Sequence, residues 1–183
     1  MPAEKYAEAT LGGGCFWCTE AVLQRLKGVE RVFPGYAGGT VPGTPTYREV
    51  CSGLTGHAEV VRVLFDPEII SYRDLLTVFM ATHDPTTLNR QGADRGTQYR
   101  SVIFFHDAIQ EAAARDVKSS MQTYYSDPIV TEIAPLSNFH TAETEHFDYY
   151  NRHPEQGYCR YVIDPKLKKL RDGFAPLLKD AAP

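Results

Sequence analysis

Three consecutive glycines, Gly12-Gly13-Gly14, separate an apolar run from a helical pattern and fix how the chain begins to fold. Glycine lets a backbone turn tightly, so Tyr6–Leu11 reads as a strand that stops there. The chain restarts as a helix from Cys15 to Leu26, with apolar residues at Phe16, Val22, Leu23 and Leu26. Cys15 therefore stands at or just before a helix N-terminus. Unpaired N–H groups and the helix dipole favour an anion there. A free thiol with a pKa of ~8.5 is only about 3% thiolate at pH 7, and a helix start is one of the settings that lowers the value. The placement predicts an activated Cys15. The lone tryptophan, Trp17, lies two residues on and reads as a pocket wall.

Downstream, Val29–Phe33 reads as a strand and Gly35–Pro45, rich in Gly, Pro and Thr, as a loop. Ala58–Asp66 is a β-branched run that ends at Asp66-Pro67, a strand. Ser71 caps a helix to about Thr82, with Asp74 at the capping-box position. His83–Gly96 is a long polar loop, of the kind that often carries function. Tyr99–His106 is a strand, Asp107 caps a helix from Ala108 to about Thr123, and Ile129–Ile133 is a strand. Glu143–Tyr150 reads as a helix, and an irregular tail comes after it with a short helix near Pro165–Arg171.

This order, β-α-β-β-α-β-α-β, predicts an α+β two-layer sandwich with a ferredoxin-like β-α-β-β-α-β core. The 183 residues fit a single domain, 1–183, with a core at about 6–151 and a C-terminal tail at about 152–183. Fold alone assigns no chemistry.

Composition narrows the function classes. The net charge is −4, and no basic patch points to nucleic acid. Lys166, Lys168, Lys169 and Arg171, interleaved with Leu167 and Leu170, read as the solvated face of a short helix. No apolar run approaches the ~20 residues that span a bilayer. The stretch Met1–Tyr6 lacks an apolar signal core, which argues for the cytoplasm. In a reducing compartment the four cysteines, Cys15, Cys18, Cys51 and Cys159, are expected to be catalytic, metal-binding or buried rather than structural disulfides.

Cys15 and Cys18 form a C-x-x-C pair, which has three readings. A zinc half-site lacks its second C-x-x-C or H-x₃₋₅-H. A thioredoxin-like redox pair suits the βαβ start, but not the Phe16-Trp17 centre. The third reading, favoured here, is a sulfoxide- or peroxide-reacting cysteine with a resolving neighbour. Cys15 as a small buried hydrophobe is the plain structural alternative.

The motifs around Cys15 resemble those of the peptide methionine sulfoxide reductase A family. Gly14-Cys15-Phe16-Trp17 matches the family signature. Gly35-Tyr36-Ala37-Gly38-Gly39 with Pro45-Thr46-Tyr47-Arg48-Glu49-Val50-Cys51 is similar to a second block, and Thr55-Gly56-His57-Ala58-Glu59 to a third. His83-Asp84-Pro85 through Arg90–Arg100 resembles a fourth, and Gly157-Tyr158-Cys159 resembles the C-terminal recycling segment. The resemblance runs in order from about residue 10 to 165.

The resemblance implies an enzyme that reduces the S epimer of methionine sulfoxide, in oxidised proteins or as the free amino acid. Cys15 would attack the sulfoxide sulfur, Glu59 would protonate the oxygen, and Tyr47 and Tyr99 would hydrogen-bond it. Asp94 would line the site, and Phe16 and Trp17 would hold the substrate methyl group. The chemistry is coherent. An apolar wall raises a carboxyl pKa so that it carries a proton at neutral pH, and phenol donors stabilise charge as it builds on oxygen. Read from the sequence without the resemblance, Glu59 is a solvated strand residue, Tyr47 and Tyr99 are packing, and Asp94 caps a turn.

Attack leaves Cys15 as a sulfenic acid, which condenses with a thiol. Cys159 matches the family's recycling position and is the first resolving candidate, in a tail that reads as flexible. Cys18 is the second candidate and a departure, since many members have Gly there. A relay through both is open, and Cys51 is a bystander. Thioredoxin or another dithiol would reduce the disulfide. No bound cofactor or metal is expected, and the protein is expected to be a monomer. His57 gains no catalytic task from the resemblance, and His140, His146 and His153 read as packing or exposed. The alternatives are a thiol–disulfide oxidoreductase using Cys15 and Cys18, or a redox sensor or zinc-binding adaptor.

Overall fold

The computed structural model describes residues 5–179. The N-terminal reading for Met1–Glu4 and the last four residues of the tail lie outside that range. Eight strands and six α-helices alternate along the described residues: β1 (Ala7–Gly12), α1 (Phe16–Leu23), β2 (Val29–Ala37), α2 (Tyr47–Cys51), β3 (Ala58–Phe65), α3 (Tyr72–Thr82), β4 (Arg90–Gln91), β5 (Asp94–Arg95), β6 (Val102–Phe105), α4 (Ala108–Met121), β7 (Glu132–Pro135), β8 (Phe139–Thr141), α5 (Tyr149–Arg152) and α6 (Asp164–Phe174).

Six strands form one sheet in the order β7-β6-β1-β3-β2-β8. β1 lies antiparallel to both β3 and β6, with Leu11 opposite Val61 and Ile103. β2 lies antiparallel to β3 over its whole length, and β6–β7 is the parallel pair. β4 and β5 make a separate small hairpin. One buried cluster joins Ala9, Leu11, Val61, Val63 and Ile103 to the apolar sides of α1, α3, α4 and α6. A smaller one, Ala37, Ala58, Val60, Val102 and Phe104, is covered by Leu136 and Phe139. Side chains alternate along a strand, so Glu59 shares the helix-covered side with Val61 and Val63.

The expected caps form. Ser71 Oγ accepts the Asp74 N–H at 3.0 Å, and Asp107 Oδ1 accepts the Gln110 N–H at 2.8 Å. Other expectations need correction. β2 continues through Pro34 to Ala37, into the stretch read as a loop. The β2–β8 pairing begins only at Gly35, so the missing Pro34 N–H falls where no ladder bond is needed on that side. Helix α2 is an addition to the expected order, although Thr46 and Glu49 form a reciprocal capping box that the Thr-x-x-Glu spacing announces.

The last strand before β8 is Glu132–Pro135 rather than Ile129–Ile133. Ile129 N–H goes to Gln122 Oε1 and Val130 N–H to Pro85 O, so the ladder starts after them. The helix expected over Glu143–Tyr150 is broken at Asp148, which has φ +55°; its N–H is taken by Glu20 Oε2 at 3.0 Å. The C-terminal region is helical rather than irregular. A π-helical turn, Cys159–Ile163, runs straight into α6. The reason is the stripe Ile163, Leu167 and Leu170, all three buried in the core. The chain is pinned beyond α6 as well: Lys27 N–H donates to Leu177 O and Lys179 N–H to Arg25 O, both at 2.8 Å.

Candidate active site

The glycine turn presses β1 and the start of α1 against β3 and the loop after α3. A Cβ on Gly12 would lie 2.9 Å from the Glu59 carbonyl oxygen. Gly14 has φ +94°, and a Cβ there would lie 2.7 Å from Gln91 Cγ. This close approach sets Cys15 beside Glu59. Cys15 is the N-cap of α1, and its carbonyl accepts the Cys18 N–H at 3.1 Å while its side chain makes no capping bond. The residue is only 6% exposed. Burial, the Cys18 thiol beside it and the Glu59 carboxylate push the Cys15 thiol up. The expected activation by the helix N-terminus is thus outweighed in this arrangement by desolvation and by two acidic neighbours.

Glu59 is 1% exposed, not solvated. Phe16 N–H donates to its Oε1 at 3.1 Å, and its Oε2 is buried without a partner among the described residues. Burial raises the carboxyl to about 8, against the Phe16 hydrogen bond, so it is mainly protonated at pH 7. Tyr47 opens α2, its N–H fixed by Glu143 Oε2 at 2.9 Å. Tyr99 closes a 3₁₀ turn, Thr97–Tyr99. Both phenols are held neutral, by burial first and then by the charges of Glu59 and Cys51. Burial raises the Cys51 thiol, and the Tyr47 and Tyr99 hydroxyls beside it act against that rise. Cys51 is therefore part of this cluster.

An aromatic group closes the other side. Phe16 is fully buried under Tyr47 and His146, with ring centroids at 6.2 and 5.2 Å. Trp17 lies flat on Tyr149 at 3.8 Å and donates its indole N–H to His146 Nδ1 at 3.1 Å. Burial lowers the His146 pKa, so this imidazole is neutral at pH 7. Tyr158 meets Trp17 edge-on at 5.9 Å. Its hydroxyl donates to Asp94 Oδ2 at 2.7 Å and lies 3.5 Å from Cys18 Sγ. Asp94 thus faces the C-terminal segment through Tyr158.

This geometry is matched by kinship. The peptide methionine sulfoxide reductase family model matches residues 7–176. A peptide methionine sulfoxide reductase MsrA of Deinococcus radiodurans is 56% identical over 181 residues, 98% of this chain and 87% of that protein.

The chain belongs to the peptide methionine sulfoxide reductase family.

Among solved structures, Mxr1 of Saccharomyces cerevisiae in reduced form superposes with a TM-score of 0.79 at 37% identity, covering 87% of this chain and 91% of that one. A structure of Mxr1 in complex with Trx2 gives 0.56 at 28% identity, covering 81% and 87%. Against this family background the reading of Cys15 and Cys18 as a general thiol–disulfide oxidoreductase is not favoured.

Cys15, Phe16, Trp17, Glu59, Tyr47 and Tyr99 come together around the first turn of α1. Asp94 is near Glu59 and Tyr99 and is tied to Tyr158, which also reaches Cys18 and Trp17. Cys159 is 0% exposed, because the π-helical turn packs it into the core. Lys166 is not on a solvated face: its Nζ donates to Thr82 O and Gln91 Oε1 at 3.3 and 3.4 Å. Sequence reading assigns no place in the site to Cys51, His146, Tyr149, Tyr158 or Lys166. A signal exists for Lys166, which stands three residues after Ile163 and four before Leu170. His57 turns elsewhere, accepting the Gly39 N–H at 3.0 Å. A surface depression of about 570 Å³, lined by Arg25, Arg31, Arg171 and Lys179, sits at the opposite end of α1.

Proposed function

We propose that the enzyme reduces methionine S-sulfoxide, in oxidised proteins or as the free amino acid, at Cys15. Cys15 attacks the sulfoxide sulfur while Glu59 gives its proton to the oxygen. The sulfur–sulfur bond formed on attack and the substrate sulfur–oxygen bond then break as the oxygen passes to Cys15; methionine leaves reduced by two electrons, Cys15 is left as a sulfenic acid, and its thiol proton replaces the one Glu59 gave. Tyr47 and Tyr99 steady the oxygen as charge builds on it. Trp17, backed by Phe16 and His146, holds the methyl group and orients the sulfur. Asp94, tied to Tyr158, lines the opposite wall.

The observation that carries this reading is Glu59: a carboxyl beside Cys15 that holds its proton to about pH 8 and has an unpartnered buried oxygen among the described residues. A sulfoxide oxygen leaves poorly until it is protonated, and a neutral buried carboxyl is the group that supplies the proton at neutral pH. One turnover without reductant tests it. The reduced protein should form methionine from methionine S-sulfoxide, and Glu59→Gln should slow that step far more than it weakens binding. Equal single-turnover rates for the two proteins would refute the assignment of Glu59.

The finer readings each have a separate support. The order β6-β1-β3-β2 around the β1-α1-β2-β3-α3-β6 path supports a ferredoxin-like core. A single domain with a C-terminal extension is supported by one buried cluster that includes both β1 and α6. A thioredoxin or similar dithiol as external reductant is supported by the Mxr1–Trx2 complex. No bound cofactor or metal is needed for these steps. Four free cysteines suit a reducing cytoplasm, and no described helix is long and apolar enough to cross a membrane. A monomer completes the reading, and the net charge of −4 supports the absence of a nucleic-acid partner.

A further inference from the structure

We propose that Cys18, set beside Lys166 and Tyr158, is the thiol that first resolves the Cys15 sulfenic acid, and that Cys159 then takes the disulfide from Cys18. The inference rests on the reductase reading above and concerns the steps after methionine release.

Cys15 and Cys18 share the first turn of α1 through the Cys18 N–H to Cys15 O bond of 3.1 Å. Residues joined by such a turn fall within the reach that a disulfide requires. The two thiols are close enough that each shifts the titration of the other. Cys159 is fully buried in the turn that precedes α6, and the thiol charge felt there is that of Cys18.

The surroundings of Cys18 suit a thiolate. Lys166, Cys18, Gly13, Thr82 and His83 line a small pocket of about 10 Å³ behind α1, about the size of one water molecule. The Lys166 stem crosses from α6 so that its ammonium reaches Thr82 O and Gln91 Oε1. On the other side stands the Tyr158 hydroxyl, 3.5 Å from the sulfur and bonded to Asp94. The titratable groups facing Cys18 are thus Cys15, Tyr158, Lys166, Asp94, Glu59 and Cys159. His83 is kept neutral by burial, at about 4, so Lys166 is the cation among the groups lining that cavity. The Cys15 thiol first, and then Tyr158 and Lys166, draw the Cys18 thiol below the ordinary value despite its burial.

The step balances without an outside oxidant. Cys18 sulfur attacks Cys15 sulfur, the S–S bond forms and the S–O bond breaks. The hydroxyl leaves as water with the proton given up by Cys18. Cys159 sulfur then attacks Cys18 sulfur, and Cys15 is released as a thiol with the proton of Cys159. Lys166 acts as a positioning residue that holds charge on Cys18 as its proton departs.

The test uses the full reduced chain, free methionine sulfoxide, no reductant, and dimedone as a trap for sulfenic acid. Samples are quenched with an alkylating agent and the disulfides mapped by mass spectrometry. In the wild-type protein the Cys15–Cys18 link should appear first and the Cys18–Cys159 link later. Cys18→Ser, with Cys18→Ala as a second form, should raise trapped sulfenic acid at Cys15 at least 10-fold. Cys159→Ser should still close Cys15–Cys18 with little trapping. Lys166→Met should slow disulfide closure about 10-fold and move its pH profile upward, with Lys166→Arg restoring it. A Cys15–Cys159 link formed first in the wild type, or unslowed closure in Cys18→Ser, would overturn the assignment of Cys18. An unmoved pH profile in Lys166→Met would overturn that of Lys166. Absence of methionine in the wild-type protein would overturn the reductase reading instead.

Discussion

The two sides of Cys15 are built from opposite chemistry. On one side lie Glu59, Tyr47, Tyr99 and Cys51, acids held in their protonated forms by burial. On the other lie Cys18, Tyr158 and Lys166, where the Cys15 thiol first, then a hydroxyl and an ammonium, lower the Cys18 thiol. In the proposed reaction the first side would give a proton to an oxygen, and the second would carry negative charge on sulfur. A reductase of this type needs both, in that order. The contrast teaches that one short helix can serve two half-reactions if its first turn faces two environments.

The comparison breaks most sharply at the atom both sides share. Cys15→Ser should leave no methionine formation above background in a single turnover, and substantial residual product would move the chemistry off this thiol. Glu59→Gln should slow the reductive step by about 10²–10³-fold while closure of a chemically generated sulfenic acid proceeds as before. If both steps slow alike, the two sides are one unit. The pH dependence sharpens the point. The Glu59 proton is present below about pH 8 and lost above it, so the wild-type reductive rate should fall through that range. The Gln variant should lack that limb in single-turnover assays from about pH 6 to about pH 9.5. Tyr47→Phe removes one donor and should reduce the reductive rate by about 10- to 100-fold, with disulfide mapping unchanged.

Smaller effects fall on stability. Unfolded Glu59 ionises near 4.5 and the folded carboxyl near 8. Below 4.5 both states hold the proton, so nothing is lost. Between the two values the unfolded state gives it up first, and the folded state loses stability by about 1.4 kcal/mol per pH unit. Glu59→Gln should therefore be more stable than the wild type at pH 8, by up to about 5 kcal/mol, and converge with it near pH 4 in urea unfolding. A lower midpoint for the variant at pH 8 would contradict the burial of a neutral carboxyl. Last, Gly14→Ala, at φ +94° with Gln91 in the way, should cost about 1–2 kcal/mol of stability.

Much of this is legible in the sequence, and the gaps have physical causes. The glycine turn, the helix start and the caps at Ser71 and Asp107 are local features, and local features fold as written. Glu59 misleads because strand alternation assumes one wet face. β3 is a central strand buried on both sides, with four buried residues in a row from Ala58 to Val61. Only the family resemblance picks Glu59 out. His146 and Tyr149 gain their places by contact with Trp17, roughly 130 residues earlier, which no local pattern encodes. Lys166 misleads because its charge outweighs its position on the Ile163–Leu170 stripe.

The segment that carries Tyr158 and Cys159 is fastened at both ends. Before it, Tyr149 is stacked on Trp17 and Asp148 is held by Glu20. After it, Leu167 and Leu170 are in the core, and Leu178 bridges to Leu26. Exposing Cys159 to an outside dithiol is therefore the local opening of a closed loop rather than the release of a free end. Such an opening has its own free energy, smaller than that of global unfolding, and the ends stay in register for reclosure. A proteolytic nick in the exposed stretch from Arg152 to Gly157 would remove one tether. It should speed amide exchange around Cys159 while leaving the sheet protected.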